Sequence, residues 1–109
     1  MQQKQPDYVV VFITANYNEE AQKIARLLLK HRKAACVNIV PGVDSQFWWQ
    51  DKIESAEENL LVVKTRAPLL PDIIRMVKEN HSNKVPEIIA MPIVGGNQEY
   101  LDWIESEVK

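Results

Sequence analysis

The run Tyr8-Val9-Val10-Val11-Phe12-Ile13-Thr14 constrains this chain more than any other segment. It is rich in β-branched and aromatic side chains, which fit extended backbone. Successive side chains of a strand point to opposite faces, and here both sets are apolar. Such a strand reads as a central one, flanked by neighbours rather than half exposed. The rest of the chain must supply those neighbours and cover for both faces.

Read onward from that strand, the apolar period changes repeatedly. After Asn16-Tyr17-Asn18, the residues Ala21, Ile24, Ala25 and Leu28 fall on one helical face. Asn18 is the expected N-cap, with Glu19 and Glu20 in the first turn and Lys30 to Lys33 at the basic C-terminal end, both as the helix dipole favours. A second strand starts near Ala34, with Ala35, Val37 and Ile39 on one face and Cys36, Asn38 and Val40 on the other. Pro41-Gly42 marks a bulge or turn, and Val43 to Trp49 continues the strand. Gln50-Asp51-Lys52 is a polar turn that leads through Ile53 to Glu58 into the strand Leu60 to Thr65. The two strands and their turn make a hairpin longer than a compact core requires.

Pro71 suits the first turn of a second amphipathic helix whose apolar face carries Leu70, Ile73, Ile74, Val77 and His81. A fourth strand covers Glu87 to Met91, Gly95-Gly96 is a turn, and Asn97 can cap a last helix with Tyr100, Leu101, Ile104 and Val108 on one face. The order β-α-β-β-α-β plus a C-terminal helix predicts an α+β, ferredoxin-like fold: one antiparallel sheet with two helices on one face and an extended β2–β3 hairpin. With 109 residues, one domain is expected, spanning 7–109 after a short polar lead-in of residues 1–6.

Composition removes several functions. Lys and Arg number 13 and Asp and Glu 15, for a net charge of −2, and the basic residues are scattered, so nucleic acid is not an expected partner. No apolar run approaches the roughly 20 residues of a membrane span, and no signal-peptide pattern opens the chain. The single cysteine rules out an intramolecular disulfide and fits a reducing cytoplasm. No Ser/His/Asp set, C-x-x-C, H-E-x-x-H or phosphate-binding glycine loop is present, so no enzyme is expected. Three of the eight aromatics lie consecutively in Phe47-Trp48-Trp49 on the hairpin. Neighbouring strand residues cannot both face one small core, so the hairpin is expected to pack against another copy of the chain.

The segments Ala34-Ala35-Cys36-Val37-Asn38-Ile39-Val40-Pro41-Gly42 and Phe47-Trp48-Trp49-Gln50-Asp51-Lys52-Ile53-Glu54 resemble the signature of the CutA family of divalent-cation tolerance proteins. Leu61 to Arg66, Val85 to Ile93 and Asn97 to Ile104 match its later elements, so the resemblance runs from about residue 8 to residue 106. It implies a homotrimer similar in architecture to PII signalling proteins. It also implies binding of copper or another divalent cation without an agreed catalytic activity. One departure stands out: the family pattern has His-Pro-Tyr where this chain has His81 followed by Ser82-Asn83-Lys84. A role resting on that tyrosine does not carry over, and Lys84 would weaken attraction for a cation nearby.

The candidate metal residues are Cys36 and His81. A thiolate is a soft ligand that suits Cu(I), and a neutral imidazole suits copper and zinc. Against this, free cysteine often serves as a small buried apolar residue. A histidine on an apolar helix face often packs instead of ligating, and His31 reads as solvated. Asp51, Glu54, Glu57, Glu58 and Glu87 could add carboxylates between subunits, although a solvated hairpin surface also accounts for them. Two other functions fit the chain: a small-ligand or nucleotide-sensing trimer using Lys64 and Arg66, and a structural scaffold trimer. The protein partner is not legible.

Overall fold

The structure, a computed structural model, describes residues 7–109; the polar lead-in of residues 1–6 lies outside the described residues. Its elements run β1 (Tyr8–Ala15), α1 (Asn18–Lys30), β2 (Cys36–Trp49), β3 (Lys52–Arg66), a 3₁₀ turn (Ala67–Leu69), α2 (Leu70–Asn80), β4 (Ile88–Pro92) and α3 (Gln98–Glu107). The sheet order is β2-β3-β1-β4, antiparallel throughout. This is the expected ferredoxin-like order, with the doubly apolar strand β1 in an interior position.

Burial alternates strictly along β1. Val9, Val11, Ile13 and Ala15 are buried, while Tyr8, Val10, Phe12 and Thr14 are half-buried. The buried set meets Leu61 and Val63 of β3 and the inner faces of α1 (Ala21, Ile24, Ala25, Leu28) and α2 (Ile73, Met76, Val77). These helical positions repeat every three or four residues, which turns one stripe of each helix towards the sheet. Emptying a fully buried site such as Leu28 to alanine would cost about 2–5 kcal/mol.

The other face of the sheet is only partly covered. Val10 and Phe12 of β1, Val62 and Lys64 of β3, Cys36 and Asn38 of β2, and Ile89 and Met91 of β4 lie on it by register. Helix α3 lies against one corner, where the Tyr8 hydroxyl donates to Glu105 and Leu101 and Ile104 are buried. Tyr100, expected on the buried stripe, is instead 41 % exposed. Beyond α3 this face is open, with Ile89 and Met91 more than half exposed.

The hairpin outruns everything else in the fold. Its arms are 14 and 15 residues long, against eight in β1. A bulge interrupts the register between Val40 and Val43, where Gly42 takes φ +70, a left-handed conformation that glycine adopts without strain. From Val43↔Glu58 to Trp49↔Lys52 the two arms pair only with each other. Gln50 and Asp51 close the tip with φ of 50 and 63, the doubly left-handed geometry of a two-residue primed turn. The expected hairpin with a kink at Pro41-Gly42 is therefore present, and the tip of its outer half is exposed, with Phe47, Trp48, Trp49 and Ile53 all in the open.

Helix starts differ in detail from expectation. Asn18 is the first helical residue of α1, after an extended Tyr17, and makes no capping bond. Its capping role falls to Glu20, whose carboxylate accepts from the Asn16 N–H. Asn97 caps α3 as expected, its side chain accepting from the Glu99 N–H, and Pro71 sits in the first turn of α2.

Candidate functional site

Strand pairing builds one polar cluster on the open face. Register sets Cys36 of β2 opposite Lys64 of β3, and Lys64 opposite Val10 of β1. Asn38, two residues beyond Cys36, shares its face. The Lys64 ammonium donates to Asn38 Oδ1 and stands 3.9 Å from Cys36 Sγ. Helix α3 brings Tyr100 to the same cluster, close to Cys36. Burial, then the neighbouring Cys36, pushes the Tyr100 phenol above its ordinary range, so it stays protonated. Cys36 is partly exposed and unoxidised. Among the described residues, Lys64 has no carboxylate within ion-pair distance. Arg66, by contrast, is paired to Asp7 at 2.6 Å and approaches Glu105 at 4.0 Å.

His81 lies elsewhere. It follows α2, on the helix side of the sheet, and its side chain is fully buried. Nε2 is 2.7 Å from the Thr14 carbonyl, which can only accept, so that nitrogen carries a proton. Nδ1 accepts from the Asn83 N–H at 2.9 Å. Both ring nitrogens are thus committed to backbone groups. The Glu20 carboxylate lies 3.4 Å from Nε2 and accepts from the backbone N–H groups of Asn16 and Ser82. Burial alone would raise the Glu20 carboxyl, but its bonds with Ser82 and Asn16 and the nearby His81 outweigh burial and hold it below the usual range. Asn16 also donates to Ser82 Oγ and Asn83 Oδ1, so the Ser82-Asn83 segment that departs from the family pattern is anchored to the end of β1.

Cys36 and His81 therefore do not converge within one chain. Cys36 is level with Val10 on the open face; His81 meets Thr14, four residues or about 13 Å along β1, on the helix side. His31 is exposed at the end of α1, and Asp51, Glu54, Glu57 and Glu87 are exposed on hairpin and loop. Among the described residues, no three His, Cys, Asp or Glu side chains stand close enough to hold a metal ion. The contacts that sequence reasoning missed are Tyr100 beside Cys36 and the Glu20–His81 pair. The first needs α3 to cross the sheet, and the second joins residues 61 positions apart, so neither leaves a local signal.

The protomer is thus ferredoxin-like, with an overlong, exposed hairpin and a cysteine on its uncovered sheet face. Comparison narrows it. The family model for the CutA1 divalent ion tolerance protein matches residues 9–107, and the chain belongs to that family. It is 48 % identical over 95 residues to the divalent-cation tolerance protein CutA of Thermus thermophilus, covering 87 % of this chain and 92 % of that one. Identity to the Archaeoglobus fulgidus CutA is 46 % over 99 residues, covering 91 % and 96 %. The chloroplastic CutA 1 of Oryza sativa is 43 % identical over 101 residues, but there the chain spans 57 % of the relative's length. The solved structure of the Thermus thermophilus protein matches with a TM-score of 0.92 at 45 % identity, over 94 % of this chain and 99 % of that one. One archaeal relative is described as periplasmic, and no helix among the described residues is long and apolar enough to cross a membrane.

Proposed function

We propose that this chain acts as a homotrimer that binds divalent metal ions, copper among them, at clefts between subunits, and that it serves metal response in the cytoplasm by binding rather than turnover. The family supplies the divalent-ion connection. The observation that carries the reading is the placement of Cys36. The chain's one soft ligand lies on the sheet face that its own helices leave open, beside the hairpin, and too few donors surround it to close a site alone. Donors from a second protomer complete such a site. Cys36 is the first ligand in this reading. His81 joins only where an ion displaces the Asn83 N–H from Nδ1.

Calorimetric titration of Cu(II) into wild type, Cys36→Ser and His81→Ala tests the assignment. Loss of the binding heat in Cys36→Ser is expected. Identical isotherms for all three proteins remove both residues from the site. Light scattering tests the assembly: three 12.6-kDa chains give about 38 kDa, and a monomer mass refutes it.

A further inference from the structure

Charge is unevenly placed along this chain. Residues 18–33 hold five Lys and Arg against two Glu, a net +3, so the remainder of a chain of net −2 carries −5. Three of those five cations, Lys23, Arg26 and Lys30, stand at i, i+3 and i+7 of α1 and form one exposed stripe. It lies opposite the buried stripe of Ala21, Ile24, Ala25 and Leu28. Among the described residues, none of the three has a carboxylate within ion-pair distance. The neighbouring Arg32, Lys33 and Arg75 are paired, the first to Glu107 and the others to Asp72.

The fold itself has no use for that stripe. Lys23 with Arg26, and Arg26 with Lys30, are like-charge neighbours one turn apart, an arrangement that weakens a helix. The dipole at the C-terminal end of α1 favours Lys30, but its influence falls off within the last turn and does not reach Lys23. A helix that keeps three adjacent, unpaired cations against its own stability suits an anionic partner outside the chain. Beside the stripe, half-buried Leu27 and Met76 help to line a cleft of about 410 Å³ between α1 and α2. The contacts of the trimer proposed above fall on the open sheet face and the hairpin, whereas α1 and α2 cover the opposite face, so this surface stays outward in the assembly.

We propose that the α1 stripe and the adjoining cleft dock an acidic peptide segment of a partner protein, its carboxylates on Lys23, Arg26 and Lys30 and one apolar side chain over Leu27 and Met76. The stripe spans about 10 Å, two helical turns, and is bounded by Glu19 on α1 and by Glu79 across the cleft. A short carboxylate-bearing segment fits within those bounds. A nucleic acid or an anionic membrane extends past them onto a chain that is otherwise acidic. The proposal does not rest on metal binding.

Fluorescence anisotropy at low salt tests it, with the assembled protein and a fluorescein-labelled peptide Glu-Ala-Gln-Glu-Leu-Ala-Gln-Glu, whose glutamates repeat the spacing of the stripe. Saturable binding is expected with a Kd below about 1 mM. Replacing every glutamate of the peptide by glutamine should weaken it at least about tenfold, as should the combined variant Lys23→Gln, Arg26→Gln and Lys30→Gln. That variant should keep the wild-type mass in light scattering and unfold at no lower temperature, since removing like charges relieves the helix. Equal affinity for the glutamine peptide, unchanged affinity in the combined variant, or no binding at millimolar peptide would overturn the proposal. A changed mass would overturn it by placing the stripe in a subunit interface, and a lower unfolding temperature by giving the stripe a structural role. Co-sedimentation with vesicles of one part phosphatidylserine to three parts phosphatidylcholine, lost in the combined variant and without peptide binding, would assign the stripe to a membrane instead.

Discussion

Truncating Trp48 should separate assembly from folding. Trp48 is 72 % exposed on the hairpin tip and pairs in register with Ile53, itself 66 % exposed. Phe47 and Trp49, on the opposite face of the same strand, are also exposed. The tip therefore contributes little to the protomer's own core, whose buried residues lie around β1, α1 and α2. A tryptophan covers about 200 Å² when buried, so the exposed part of Trp48 is worth about 4 kcal/mol at most if a neighbouring subunit covers it. Ordering costs reduce this, and about 2 kcal/mol per protomer is a reasonable loss for a central aromatic contact. In the proposed trimer three copies multiply the effect, weakening the overall association constant about 10⁴-fold. Sedimentation or light scattering across a dilution series should show Trp48→Ala dissociating at concentrations where wild type does not. Its far-UV circular dichroism should match wild type under conditions where the trimer persists. A variant that dissociates no more readily than wild type would place the tip outside the interface. A variant that loses secondary structure while still assembled would show that Trp48 supports the protomer itself.

Other outcomes follow from particular groups. Glu20→Gln should destabilise the protein by about 2–3 kcal/mol at neutral pH, because the amide cannot accept from both the Asn16 and Ser82 N–H groups. The Glu20 carboxyl lies below its unfolded value, so its contribution is present above about pH 4.3 and is lost as pH falls through the folded value. Urea titrations from pH 3 to pH 7 should therefore show a shallower acid limb for Glu20→Gln, and a parallel limb would refute the assignment. At the hairpin tip, Gln50→Asn with Asp51→Gly should raise stability by about 1 kcal/mol, since both positions are left-handed and Asn-Gly is the favoured pair; thermal unfolding measures it.

Elements with a strong period were legible from sequence, and so was their order. The doubly apolar β1, the spaced stripes of α1 and α2, and the Pro41-Gly42 interruption each carry a local signature, and each appears in the structure. The end of α1 nearest β1 was misread because its real cap is not a neighbour. Asn18 looks like a cap by residue type, yet Glu20, read as a dipole-favoured acid, folds back to Asn16 and also reaches Ser82 across 62 positions. Tyr100 was misplaced for a related reason. Periodicity assigns it to the stripe of Leu101 and Ile104, but α3 covers only a corner of the open face and leaves Tyr100 at the rim beside Cys36.

The two candidate ligands show why residue chemistry alone undertermines a site. Cys36 and His81 are both candidates from sequence, since a thiol and an imidazole both bind soft or borderline ions. What separates them is the state of the donor atom. On His81 the lone pair of Nδ1 is already engaged by a backbone N–H and Nε2 is bound to a carbonyl, so ligation must first break a bond that anchors the segment after α2. On Cys36 the sulfur is partly exposed, and the group that opposes a cation there is Lys64, a flexible side chain that can move or be neutralised. In the proposed site an ion would therefore meet a fixed backbone at one position and a movable charge at the other, which is the argument for Cys36 as its first ligand.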